Sequence, residues 1–476
     1  MRRIQAGILI IILCWALGCV SAEEETRDYF PMPKSNFYPK SAIYINNLIH
    51  TENQDQIRQH GWALFELINR PVKKVENKHC LEQVPIWQTW FSEKQVFTRT
   101  EYDQPAYCQL SGDPQKTVSN DKSEKTTPHL SHLKKGATSK VTWHKKFKAQ
   151  KPTYKNNGNA DGMLFANNGD IMIAGEYFNL PSFNHIRKKE LYLRSELNKM
   201  LKAGMKSIPT FPKGSIVTKS MYWPVAKDEY TALPVWDNML ARPPYQYNGY
   251  ETWKRSVAVQ GNIKPVSAGQ TKTVKSLYNV TVPGYDTPRS FQNSKVVSVT
   301  DFYNIQVDAK MLKAMDSNDI TILNNSAKWA YNREFQAGDY LVLIALHILT
   351  KEIEPWTYQS FWWHDQPDAG PFATGRPTSL PNGKWQNYLM AEAYSQVTPR
   401  EYDGSNHVAY NPYIELVIHP VPTNCQNCHA RASLKGKYDD NPSGRRYIGP
   451  NDKIFKNDLR TDYLWIISDR AIPPKH

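Results

Sequence analysis

The sequence predicts an α+β protein, an antiparallel, β-rich core with helices at its periphery. Two observations carry this expectation. Up to Gly204 the apolar residues recur mainly at helical spacing; beyond it, six segments rich in β-branched and aromatic residues are separated by clusters of Pro, Gly and Asn. Composition is the second observation. Only 40% of residues are hydrophobic, but 14 Trp and 27 Tyr raise the aromatic share to 12%. Each such side chain buries a large area, which supplies a core and excludes a disordered chain.

Taken in order, residues 1–22 read as a signal peptide. Arg2 and Arg3 form a basic n-region, Ile4 to Val20 is mostly apolar, Val20-Ser21-Ala22 offers small residues for cleavage, and Glu23-Glu24-Glu25 follows. An uncleaved anchor ranks second. So does a lipoprotein box at Ala16-Leu17-Gly18-Cys19, whose leucine sits one place too near the cysteine. No later stretch is apolar enough to span a bilayer, so the expected location is the periplasm, with no membrane span after cleavage. A mature part of about 450 residues corresponds to one large domain or two to three ordinary ones.

Residues 23–111 read as a helical and aromatic segment. A helix is expected from Ser35 to Arg70, with Ile45, Leu48, Ile57, Leu64, Phe65 and Leu67 among its apolar positions and Pro71 ending it. Pro85 to Phe91 forms an aromatic knot. Residues 112–160 carry eleven lysines against three acidic residues with little apolar periodicity, the pattern of a solvated, flexible excursion. His129 and His132 within it are a weak metal signal. Residues 161–476 form the β-rich domain. Pro181 opens a helix that runs to Ala203 and stops at Gly204. Strands are expected at Ser215 to Trp223, Ser256 to Gln260, Val296 to Val307, Tyr340 to Thr350, Trp356 to Trp363 and Trp385 to Tyr394, with a short helix at Asp308 to Met315.

The net charge is +14, falling to +12 when Arg2 and Arg3 leave with the signal. Export argues against nucleic acid as the partner of this basic surface. An acidic redox protein or a membrane surface fits better, with generic solubility as the alternative.

Of six cysteines, Cys14 and Cys19 leave with the signal. Cys80 and Cys108 are then an isolated pair in an oxidising compartment, and a disulfide between them is expected. Cys425 and Cys428 stand in Asn424-Cys425-Gln426-Asn427-Cys428-His429, a C-x-x-C-H. This is the attachment signature of haem c. Each thiol adds to one porphyrin vinyl group, and the adjacent imidazole becomes the proximal iron ligand. A thioredoxin-like dithiol should open a helix near the start of a domain, whereas this motif follows a Pro-rich loop near the C-terminus. A zinc knuckle needs a second ligand pair, and after His429 only the terminal His476 remains. One covalent haem is therefore expected, with His429 as axial ligand.

No methionine follows His429, so the sixth iron position is filled from upstream, filled by His476, or open. His347, inside the apolar run Leu341 to Ile353, is a candidate distal ligand or pocket donor, and otherwise a satisfied core histidine. Trp356, Trp362 and Trp363 are candidates to wall a porphyrin, or simply core. This arrangement departs from a class I cytochrome c, whose motif lies near the start with a distal methionine downstream.

The stretch His347 to Trp363, then Trp385-Gln386-Asn387-Tyr388, Asn411-Pro412-Tyr413-Ile414-Glu415, Asn424 to Ala432 and Thr461-Asp462-Tyr463-Leu464-Trp465, come in an order that resembles a group of exported bacterial monohaem cytochrome c family proteins with a C-terminal haem motif. The resemblance covers about the second half of the chain. It implies haem attachment at Cys425, Cys428 and His429 and supplies no substrate. The expected function is periplasmic electron transfer, with a redox protein and the cytochrome c maturation machinery as partners. The alternative is a haem-dependent oxidoreductase whose open iron acts on a small substrate.

Overall fold

A computed structural model describes residues 37–72, 84–102, 173–237, 253–276, 289–315, 317–380, 383–400, 411–415, 424–436 and 446–474, with the short pieces 148–149, 166–167, 280–281 and 408–409. The signal segment, Cys80, Cys108, His129, His132 and His476 lie outside the described residues, as does the lysine-rich stretch apart from Lys148–Ala149.

The architecture is mixed helix and antiparallel sheet, in line with the predicted α+β class. The main sheet is built on Tyr340–Thr350, which is buried at every position. An apolar run of this length has no solvent face to offer, so it belongs in the middle of a sheet covered on both sides. Ile216–Val225 flanks it on one side and Thr357–Trp363 on the other. Ile173–Phe178 and Tyr388–Ala393 continue the sheet outward, and all four pairings are antiparallel. A second sheet orders Tyr230–Val235, Arg255–Gln260, Arg289–Ser298 and Thr271–Ser276, with one parallel pair between Arg255–Gln260 and Arg289–Ser298. The main apolar core reaches from Trp62 and Phe65 to Leu464 and Ile467, with smaller clusters beside it.

Because side chains alternate across a strand, each face of the main sheet has its own cover. On one face lies the helix Gln54–Ile68: Phe65 stacks on Phe361 with centroids 4.2 Å apart, and the Arg58 guanidinium reaches the Glu392 carboxylate at 2.6 Å. The helix approaches closely because Gly61 lacks a side chain; a Cβ there would meet the Met390 sulfur at 2.8 Å. On the other face lie His347, its cross-strand partners Lys219 and Ser360, and beyond Lys219 the partner Glu176.

Several expected elements differ. The helix over Ser35 to Arg70 is two helices, Ala42–His50 and Gln54–Ile68, parted where Glu52 takes φ 48°. The helix from Pro181 likewise divides into Leu180–Lys188 and Arg194–Lys202, with Glu190 at φ 51° between them. A left-handed residue ends a helix whatever the apolar pattern on either side. Val296 to Val307 is not one strand: Arg289–Ser298 ends in a 3₁₀ turn, Val299–Asp301, before Asn304–Gln306. Trp385 lies in a 3₁₀ turn, and the strand is Tyr388–Ala393. Ser317–Tyr331 is an unexpected helix.

The two sheets are tied by a charged clamp. Arg255 binds both oxygens of Asp237 at 2.7 Å and both of Asp365 at 2.7 and 2.9 Å. Burial would raise the Asp237 carboxyl, but Arg255 and His364 outweigh it and hold it at about 2. An unfolded aspartate titrates near ~3.9. Asp237 therefore contributes stability that is present above about pH 4 and is lost as pH falls through its folded value near 2. Its side chain is 32% exposed, so solvent screening reduces the contribution to about 1–2 kcal/mol. Urea unfolding across this pH range should show Asp237→Asn with a correspondingly shallower loss of stability; an unchanged acid slope would remove Asp237 from the account.

Candidate functional site

The C-x-x-C-H motif forms one short helix, Cys425–Ala430, packed against Thr357–Trp363 and Tyr388–Ala393. Asn424 caps it, its side chain accepting the Asn427 N–H at 3.0 Å and donating to the Ser395 carbonyl at 3.1 Å. The residues between the cysteines are anchors. Gln426 donates to the Trp356 and Tyr394 carbonyls at 2.9 and 3.0 Å, and Asn427 donates to the Gln396 side chain at 2.9 Å and the Arg446 carbonyl at 2.6 Å. Both side chains point into the protein, so the thiols and the imidazole are held in fixed relation to the sheet. Asn424→Ala is expected to cost about 1 kcal/mol in urea unfolding through the lost cap.

Cys425 and Cys428 are free thiols. Burial pushes the Cys428 thiol up to about 11 and the Cys425 thiol well above its ordinary value, and the Glu415 carboxylate adds to both shifts. A disulfide-exchange pair or a thiolate zinc site needs the opposite, a depressed thiol pKa. Addition of a thiol across a vinyl group consumes a protonated sulfur and leaves an uncharged thioether, which tolerates burial. Among the described residues no group of three or more His, Cys, Asp or Glu side chains is arranged to hold a metal ion.

His429 is held in a single tautomer. Its Nδ1 lies 2.7 Å from the Tyr463 carbonyl oxygen. A carbonyl only accepts, so Nδ1 carries the proton and Nε2 keeps its lone pair. Burial pushes the imidazole down to about 4, so it is neutral at physiological pH. The Tyr358 ring, 4.8 Å away between centroids, supports it from the sheet. The carbonyl is itself fixed by an unusual backbone: Asp462 and Tyr463 are consecutive non-glycine residues at φ 48° and 66°. Strain of this kind costs about 1–3 kcal/mol per residue and persists where the surroundings enforce it. Here the enforcement is the buried Lys351–Asp462 ion pair at 2.7 Å, with Asp462 also accepting the Phe211 N–H at 2.8 Å.

Residues distant in sequence also converge on the motif. His347 and Glu415, 2.8 Å apart, act electrostatically on His429, as does Lys219. Of these, only His347 was a candidate from the sequence; Glu415 and Tyr463 stood merely within stretches that carry the resemblance, and Lys219 and Glu176 carried no signal. Trp356 and Trp362 are fully buried core, and Trp363 stacks on Phe302 at 4.1 Å.

No family model, no curated protein and no solved structure matches the chain. Among the described residues no helix is long and apolar enough to cross a membrane.

Proposed function

We propose that this chain is an exported protein carrying one covalent haem c and serving in periplasmic electron transfer. The observation that carries the reading is the state of the C-x-x-C-H helix. Two protonated free thiols stand one helical turn apart, beside an imidazole whose Nδ1 is committed to a carbonyl and whose Nε2 is left with its lone pair. That donor set suits a porphyrin attached through Cys425 and Cys428 with His429 as axial ligand. When bound, the haem supplies a one-electron iron couple.

The chain's own residues do the remainder. Tyr463 holds the imidazole in its ligating tautomer, and Gln426 and Asn427 fix the helix that carries it. The fully buried Trp356, Tyr358 and Trp362 exclude water from the sheet beneath. Resemblance to exported monohaem cytochrome c family proteins points the same way, and the basic net charge suits an acidic redox partner. The test is the mass of the mature protein from a host with working haem-attachment machinery. The expected result is the processed chain plus one haem, retained after denaturation; a bare polypeptide mass would defeat the reading.

A further inference from the structure

The haem reading leaves the iron's second axial position to be assigned, and the main sheet offers one imidazole for it. On the face turned toward the haem-motif helix, Glu176, Lys219, His347 and Ser360 form a continuous cross-strand row. Their neighbours on that face are apolar: Val217 and Met221 beside Lys219, Ala345 and Leu349 beside His347, Tyr358 and Trp362 beside Ser360. Glu415 closes the row from above, 2.8 Å from His347 Nε2 and fixed by the Asn411 N–H. The acids and bases pair across this apolar face, Lys219 with Glu176 at 3.8 Å and His347 with Glu415 at 2.8 Å, and pairs of this kind add little over well-packed hydrophobic residues. Such a row is not explained by stability.

Within it, His347 has a specific anomaly. The residue is 6% exposed, and its Nε2 lies 2.8 Å from the Glu415 carboxylate, off the line of a well-formed hydrogen bond. A buried core histidine normally has its ring nitrogens satisfied. His347 instead presents a buried nitrogen with an available bonding direction, on the sheet face that also carries Tyr358, against which His429 packs.

Resting on the haem reading above, we propose that His347 is the second axial ligand of the iron, through Nε2, so that the haem is held between two histidines. Glu415 is then a positioning residue whose negative charge lies beside the iron and favours its ferric state. The competing donor is Met221, a buried thioether on the adjacent strand of the same face. An iron with both axial positions occupied by protein exchanges electrons without binding substrate, which is the property a carrier needs.

The experiment uses the exported, haem-loaded protein, with the covalent haem first confirmed by mass. Ferric electron paramagnetic resonance and optical spectra should show low-spin iron without the far-red thioether-to-iron band, and the ferrous protein should not bind carbon monoxide. His347→Ala should become high-spin and carbon-monoxide-reactive, and added imidazole should restore the low-spin spectrum. Glu415→Gln should stay low-spin with a raised reduction potential. Met221→Leu should change neither spectrum, and if His347→Ala does not fold, His347→Met should stay low-spin and gain the thioether band. High-spin or carbon-monoxide-reactive wild-type iron, a wild-type thioether band, or an unchanged low-spin spectrum in His347→Ala would each overturn this assignment while leaving the covalent haem intact. Absence of haem from the mass defeats the underlying reading instead.

Discussion

Cys425→Ala/Cys428→Ala, exported from a host with working haem-attachment machinery, should contain no covalent haem and should be recovered at much lower yield than the parent. Both thiols belong to one short helix buried against Thr357–Trp363 and Tyr388–Ala393. On the proposed reading, haem bound there would tie that helix to the rest of the fold through its thioethers. A group that binds the native but not the unfolded chain adds its binding free energy to stability. Its loss should leave the charged groups near the motif, Glu415, His347 and Lys219, without the bound group, and uncompensated buried polar groups are costly. The single variants should differ from the double. Either remaining cysteine can still form one thioether, so Cys425→Ala and Cys428→Ala should each retain some haem on a denaturing gel stained for haem. Full staining of the double variant would end the case for attachment at this motif.

How much of this could be read from the chain follows from the range of each interaction. Tyr340–Thr350 was legible to the residue, because its apolar run is rich in β-branched residues and bounded by polar ones, which favours a buried strand over a buried helix. The C-x-x-C-H motif was legible as a motif because its spacing is local, and it forms one short helix. Helix breaks were not, since Glu52 and Glu190 are ordinary helix formers that the tertiary structure holds at positive φ. Ser317–Tyr331 was missed for the reverse reason. Its Asn, Ser and Thr content argues against a helix, yet Ile322, Leu323, Ser326, Ala327 and Ala330 form one buried stripe. The row Glu176–Lys219–His347 depends on register between strands far apart in sequence, and no local pattern reports it. The carbonyl of Tyr463 has no side-chain signature at all, although it sets the tautomer of His429.

Asp462→Asn should destabilise the protein by about 3–5 kcal/mol without abolishing haem attachment. Lys351 and Asp462 are each 5% exposed at the side chain, with Lys351 Nζ also donating to the Glu354 carbonyl at 2.6 Å and lying 5.3 Å from the Trp356 ring centroid. Burial shifts both toward their neutral forms, lowering the lysine and raising the aspartate despite their mutual attraction. The pair is therefore a weak source of stability as a unit, but removal of one member strands the other charge in the interior. Asparagine matches aspartate in shape and tolerates the φ of 48° at this position, so the substitution isolates the charge. Lys351→Met added to Asp462→Asn should recover most of the loss, since the unpaired ammonium is then gone. Urea unfolding of the two single variants and the double, read as a cycle, should give a coupling of at least about 1.5 kcal/mol. Additive losses would mean that the Asp462–Tyr463 turn is held by its contact with Phe211 rather than by the ion pair. The same three proteins carry a second reading. The Tyr463 carbonyl orients His429, so loosening the turn weakens that hydrogen bond and makes the imidazole a poorer donor to iron. The reduction potential should rise in Asp462→Asn and return toward the parent value in the double variant, a pattern that loss of global stability alone does not produce.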